Sequence, residues 1–145
     1  IIGILAAIAL PMYQDYISES QMTRVAGELA SRKTIVDAAF FKGRSVALGA
    51  TTATPNTHDT LNLLDGEDSK GNPTSNMMTS PTVSDADGPA TVISATLGGN
   101  SNAAIRGTVV KYNRSADGVW TCTVDKTAAA DWKAKFMPGG CQLNK

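Results

Sequence analysis

The sequence holds few of the groups that do chemistry. Its 145 residues include one histidine, His58, and two cysteines, Cys122 and Cys141. A lone histidine in a Thr/Asn-rich loop reads as a solvated one rather than as the base of a nucleophilic triad. The two cysteines lack the Cys-x-x-Cys and His spacing of a zinc site. Charge is also scarce: Asp, Glu, Lys and Arg make up 18% of the chain, against roughly 25% in ordinary soluble domains. Basic and acidic residues balance at 13 each, which excludes nucleic-acid binding by a bulk basic surface. No apolar run approaches the roughly 20 residues that cross a bilayer as a helix. Hydroxyls take the place of charge, with 16 Thr and 11 Ser, as suits an exported protein. A hydrophobic fraction of 42% excludes wholesale disorder, and the length fits one domain.

Charge is unevenly spread. Residues 45–90 carry six acidic groups and one basic, whereas residues 91–145 carry seven basic and three acidic. The two regions either attract each other between copies of the chain or form separate solvated faces. Asp65-x-Glu67-x-Ser69 begins like a calcium loop, but Lys70 stands where that loop needs glycine and no Glu follows at the twelfth position. Asp85-Ala86-Asp87-Gly88 is equally thin. Asn113-Arg114-Ser115 fits the N-glycosylation triplet but lies at a predicted strand end. Trp120 and Trp132 are expected as core or loop anchors. No catalytic residue, metal or cofactor is called for. Cys122 and Cys141 enclose 18 residues. One disulfide is the natural reading, implying an oxidising compartment and roughly 3 kcal/mol of stabilisation; two reduced buried thiols are the alternative.

The most informative segment is the first. Ile1–Leu10 is apolar all round, and ten helical residues span roughly 15 Å, half a bilayer core. With no initiator Met and no basic stretch before it, the segment reads as the inner part of a longer apolar one. Ala7-Ile8-Ala9 has the form of a signal-peptidase site, but helical periodicity continues straight past it. Met22, Val25, Ala26, Leu29, Val36, Ala39 and Phe40 recur at spacings of three, four and seven, one apolar stripe on one face. Ile35 lies off it. The spacing predicts one helix from Ile1 to Lys42, interrupted at Pro11 and Gly27 and closed by Gly43. Such a helix is roughly 63 Å long, and the remaining hundred residues make a body with a radius of gyration of about 13 Å. The body covers only the amphipathic half, about 18–42. The apolar half must enter lipid or meet other copies of itself.

Residues 43–90 read as a variable loop rich in Thr, Asn, Gly, Pro and Ser, with turns such as Thr54-Pro55-Asn56-Thr57, and with Leu61–Leu64 tucked into the core. Strands are predicted at Thr91–Leu97, Ile105–Tyr112 and Val119–Val124, the last two joined at Asp117-Gly118. Lys135-Phe136-Met137 reads as a short fourth strand. The expected fold is α+β: a long kinked helix on a three- or four-stranded antiparallel sheet, ending in a disulfide loop.

Ile1 to Tyr16 resembles the N-terminal helix of type IV pilins of class a, and Trp120-x-Cys122 with Pro138-Gly139-Gly140-Cys141 is similar to that family's C-terminal disulfide region. The resemblance implies a pilus subunit in two parts. Residues 1–17 form a projecting half-helix that anchors in the membrane and builds the fibre core, with Ile1, Ile4, Leu5, Ile8 and Pro11 in helix–helix assembly. Residues 18–145 form the head, in which 18–42 is the amphipathic helix, 43–90 the variable loop, 91–124 the sheet and 122–145 the disulfide-bounded region. Met22, Val25, Leu29, Val36 and Phe40 are its expected core stripe. The implied partners are further copies in a helical filament, the inner-membrane assembly machinery and a host-surface receptor, the last at the stiffened Cys122–Cys141 end. The implied location is the bacterial surface after an inner-membrane stage with the head in the periplasm. The implied activities are adhesion, twitching motility and DNA uptake. Family members begin with a methylated Phe and carry a nearby glutamate, and neither is in this sequence. A minor pilin, a type II secretion pseudopilin or a small secreted binding protein are the alternatives.

Overall fold

The computed structural model describes residues 1–50, 57–66 and 70–144. The turn expected at Thr54-Pro55-Asn56 and the positions Glu67 and Ser69 of the acidic loop lie outside them. Helix α1 spans Ile2–Ala30 and α2 spans Lys33–Phe41. The chain is therefore helical nearly as far as the periodicity predicts, but the interruption is elsewhere. α1 runs through Pro11 and Gly27 and breaks at Ser31-Arg32. The cause is local competition for a carbonyl. The Ser31 hydroxyl donates to Glu28 O at 2.6 Å, so the Arg32 amide bonds Leu29 O instead, at 3.0 Å. One tight turn replaces the α-helical ladder, which resumes with Val36 N–H on Arg32 O. Gly43, at φ +69°, then ends α2 in a conformation that suits glycine.

Five strands make the main sheet, in the order β3-β4-β5-β6-β7: Met78–Ser84, Val92–Leu97, Val109–Arg114, Trp120–Asp125 and Cys141–Leu143. The first three pairings are antiparallel and β6–β7 is parallel. A separate parallel pair joins β1 (Ser45–Ala47) to β2 (His58–Thr60). The predicted α+β layers are present, with several corrections. β3 lies in a stretch read as irregular. Ile105–Thr108 is a turn, closed at Gly107 (φ +89°), so β5 begins only at Val109. Lys135–Met137 is not a strand; a 3₁₀ turn occupies Ala134–Phe136. The last strand is β7. His58 is not in a loop but in β2, opposite Ser45.

Strand alternation supplies one half of the core and the helix stripe the other. Ile93, Ala95, Leu97, Val110, Tyr112, Cys122 and Val124 face Met22, Val25, Leu29 and Val36, with Leu61, Leu63 and Phe136 closing the sides; all are buried. Phe40 is not among them: it is 39% exposed. Ile35, expected off the stripe, packs against the core. Burial pushes the Tyr112 phenol above its ordinary range.

Cys122 and Cys141 form a disulfide between directly paired residues of β6 and β7, with Cα atoms 4.5 Å apart. β7 is only three residues long, so this bond is its main attachment. Replacing both cysteines by serine should lower unfolding free energy by about 3 kcal/mol and speed amide exchange first at Gln142 and Leu143; unchanged exchange there would show that β7 holds without the bond. Leu29→Ala, at a fully buried site, should cost about 2–5 kcal/mol in urea unfolding of the protein. A cost below 1 kcal/mol would mean that the helix is not part of the cooperative core.

Candidate assembly surface

The first seventeen residues have little beneath them. Ile1, Ile2, Ile4, Leu5, Ile8 and Leu10 are between 59% and 97% exposed, and Met12, Tyr13 and Tyr16 follow at 63–67%. Ala and Leu favour a helix here, and α1 carries on through Pro11 although its ring removes one donor and crowds the carbonyl of Ala7. Nothing among the described residues covers it. Burying one such side chain is worth about 1.5–3 kcal/mol, and continuous apolar exposure on this scale marks a contact surface. The structure thus brings Ile1, Ile4, Leu5, Ile8 and Pro11 onto one projecting rod. Among the described residues, no helix is long and apolar enough to cross a membrane.

The head begins abruptly. Ser18 is buried, and the loop at Asn102 grips α1 by three bonds. The Asn102 amide donates to Gln21 Oε1 at 2.8 Å, and its side chain to Ser18 Oγ at 3.3 Å and Gln14 O at 3.4 Å. Beside them a groove of ≈ 680 Å³ runs between α1 and residues 130–133. At the opposite end, the buried Arg114 guanidinium ties β5 to α2. It pairs with Asp37 at 2.8 Å, and Trp120 Nε1 donates to the same carboxylate at 3.1 Å. A second pocket, ≈ 460 Å³, adjoins the disulfide between Lys33, Trp120, Gly140 and Gln142. Among the described residues no group of three or more His, Cys, Asp or Glu could hold a metal. Asp65 is engaged in its own turn, accepting the Asn72 amide at 2.7 Å.

One feature of the junction was not read from the sequence. Asp15 is clamped by two lysines from the far end of the chain: Lys135 Nζ lies 2.7 Å from Oδ2, and Lys133 Nζ lies 3.0 Å from both oxygens. The signal was available, as Asp15 is the only charge in the first seventeen residues and Lys133-x-Lys135 belongs to the basic end. These lysines meet α1 within the chain. They hold the Asp15 carboxyl below its ordinary value of 3.8, Lys135 contributing most. Because the folded value is the lower one, the clamp stabilises fully above the unfolded-state value and is lost as pH falls through the folded one. NMR titration of the Asp15 carboxyl carbon should give a midpoint below 3.8 that returns to normal when both lysines are replaced by Met. An unshifted midpoint in the native chain would mean that the clamp is absent in solution.

Comparison with known proteins fits this architecture. A sequence model of the pilin family, described as a bacterial filament protein, matches residues 18–142. The type IV major alpha-pilin of Moraxella bovis is 51% identical over 142 residues, covering 97% of this chain and 87% of the relative. Fimbrial protein Q of the same organism is 50% identical over 145 residues, covering 98% and 88%. A fimbrial protein of Pseudomonas aeruginosa is 38% identical, covering 97% and 87%. Among solved structures, the crystal structure of a Cs1 pilin chimera superposes with a TM-score of 0.67 at 23% identity, over 88% of this chain and 98% of that one, which shows a shared fold. A half-sheathed helix on an antiparallel sheet, the disulfide at its end and these relatives together place the chain in the pilin family.

Proposed function

We propose that this chain is the major structural subunit of a type IV pilus, a surface fibre for adhesion and twitching motility. The observation that carries this reading is the contrast along α1. Ile1–Leu10 is exposed and apolar, and within two turns the same helix enters a sealed core at Ser18. Residues 1–17 are the part that other copies cover in the fibre, and 18–145 the head that forms its outside. Lateral packing of these helices is driven by apolar burial, at about 25 cal/mol per Å². Pro11, which cannot donate to the ladder, loosens the rod where heads must splay. Before assembly the apolar half sits in the inner membrane with the head in the periplasm, where the assembly machinery takes it up. The Cys122–Cys141 region, stiffened by its disulfide, is the receptor-facing end. Support for a major rather than a minor subunit comes from the Moraxella bovis relative, itself named a major alpha-pilin.

Electron microscopy of sheared surface material, with mass spectrometry of its main subunit, tests this. Thin filaments made mostly of this chain are expected. Filaments in which it is absent or a trace component would overturn the reading in favour of a minor pilin, a pseudopilin or an unrelated secreted protein.

A further inference from the structure

Both ends of the helical rod carry exposed aromatic residues, and the two ends differ. At the joint, Ser31 (φ −64°, ψ −18°) and Arg32 (φ −85°, ψ −14°) both stay right-handed helical, so α2 carries on the course of α1. Phe41 therefore stands at the far end from Ile1. It is 80% exposed, and its ring centroid lies 5.9 Å from that of Phe40. Phe40 is fixed from behind: the Arg114 guanidinium sits 4.7 Å over its ring, and Asp37 holds that guanidinium in turn. Lys42 follows, its side chain 60% exposed and ion-paired with Asp59 at 3.7 Å. This end is an aromatic platform with a cation at its rim.

Near the start of the head the pattern is complementary. Met12, Tyr16 and Glu19 fall at i, i+4 and i+7, one line on one helix face. All three are exposed, and Glu19 makes no ion pair among the described residues. This end offers an apolar and aromatic line closed by an anion. Neither patch complements itself: the Phe41 end is net positive, with Lys42 and Arg44 against Asp59, and would meet its own sign, as Tyr16 with Glu19 would meet a second glutamate. Two different patches that fit each other, at separate places on one molecule, make a heterologous contact, which repeats into an open filament instead of a closed dimer.

We propose that the Phe40–Phe41 end of one copy docks on the Met12–Glu19 line of another. Lys42 meets Glu19 across this contact, and the two copies are offset along the helix axis by about 38 Å, the 25-residue rise from Tyr16 to Phe41. This axial contact rests on the filament reading above and adds to it. Ile1–Leu10 holds copies side by side, whereas this contact sets their vertical register. The occupant is a second copy because the line continues the exposed Ile1–Leu10 surface without a break.

The test places p-benzoylphenylalanine at position 41 of the full-length subunit, irradiates filaments from the native bacterium, and maps the adducts by mass spectrometry. The expected product is a ladder of linked subunits on a denaturing gel, joined between residue 41 and residues 12–19 of another copy. Adducts elsewhere, only within one chain, or none would overturn the inference. If that variant does not assemble, the same probe at position 16 should label residues 40–42, and labelling elsewhere overturns it equally. Lys42→Glu should lower the yield of sheared filaments several-fold, and Lys42→Glu with Glu19→Lys should restore it; no restoration would count against the pair. Filaments that form with different cross-links sink this contact alone. Absence of the native chain from filaments sinks the filament reading itself.

Discussion

The constraint on which the rest depends is that one helical rod has two different surroundings. α1 is too long for the body that packs on it, so its sequence must satisfy a sealed core over 18–30 and something other than water over 1–17. The change happens within about two turns. Asp15 is clamped by Lys133 and Lys135, Ser18 is buried, and Asn102 bonds three successive turns of the helix. These polar contacts come from two widely separated loops, so the boundary is defined by tertiary structure rather than by helix sequence.

The sheet supports the same end by what its edges lack. An exposed strand edge is a template for unwanted pairing. β3, on one edge, is broken by an irregular register between Thr79 and Thr82, with Ser80 at φ +46° and Pro81 within the strand, as suits an edge that should not recruit a partner. β7, on the other edge, is three residues long and pinned by the disulfide. Neither edge invites sheet extension. The exposed apolar surface of the chain lies instead on the helix.

Much of this was legible in the sequence because it follows from periodicity. Met22, Val25 and Leu29 face inward as their spacing requires, and Val110, Tyr112, Cys122 and Val124 alternate as their strands require. Asp117-Gly118 marks the β5–β6 turn. What could not be read depends on partners distant in sequence. β3 is rich in Ser and Thr and contains a proline, so by composition it is a loop, and only pairing with β4 makes it a strand. β1, β2 and β7 have three residues each, too few for any period to show. The Asp15 clamp links positions 118 residues apart, and its two lysines look like ordinary surface charge until the fold brings them to the helix.

The misplaced Phe40 has a more instructive cause. In one unbroken helix, Phe40 repeats the phase of Met22 and Leu29 and belongs in the core. The tight turn at Ser31-Arg32 changes the phase. Beyond it the inward residues are Val36 and Ala39, with Ile35 packed beside them, so the inner face shifts to one side of Phe40. One serine hydroxyl on Glu28 O is enough to begin this, since it takes the carbonyl that Arg32 would have used. The same shift carries Phe40 out to the rim beneath Arg114 and turns Phe41 fully to solvent. The break therefore does more than interrupt a hydrogen-bond ladder. It converts two residues that an ideal helix would divide between core and surface into a single exposed aromatic end, at the opposite pole from the apolar half-helix. The two poles of the rod thus differ in chemistry, as the proposed contact between the Phe40–Phe41 end and another copy requires.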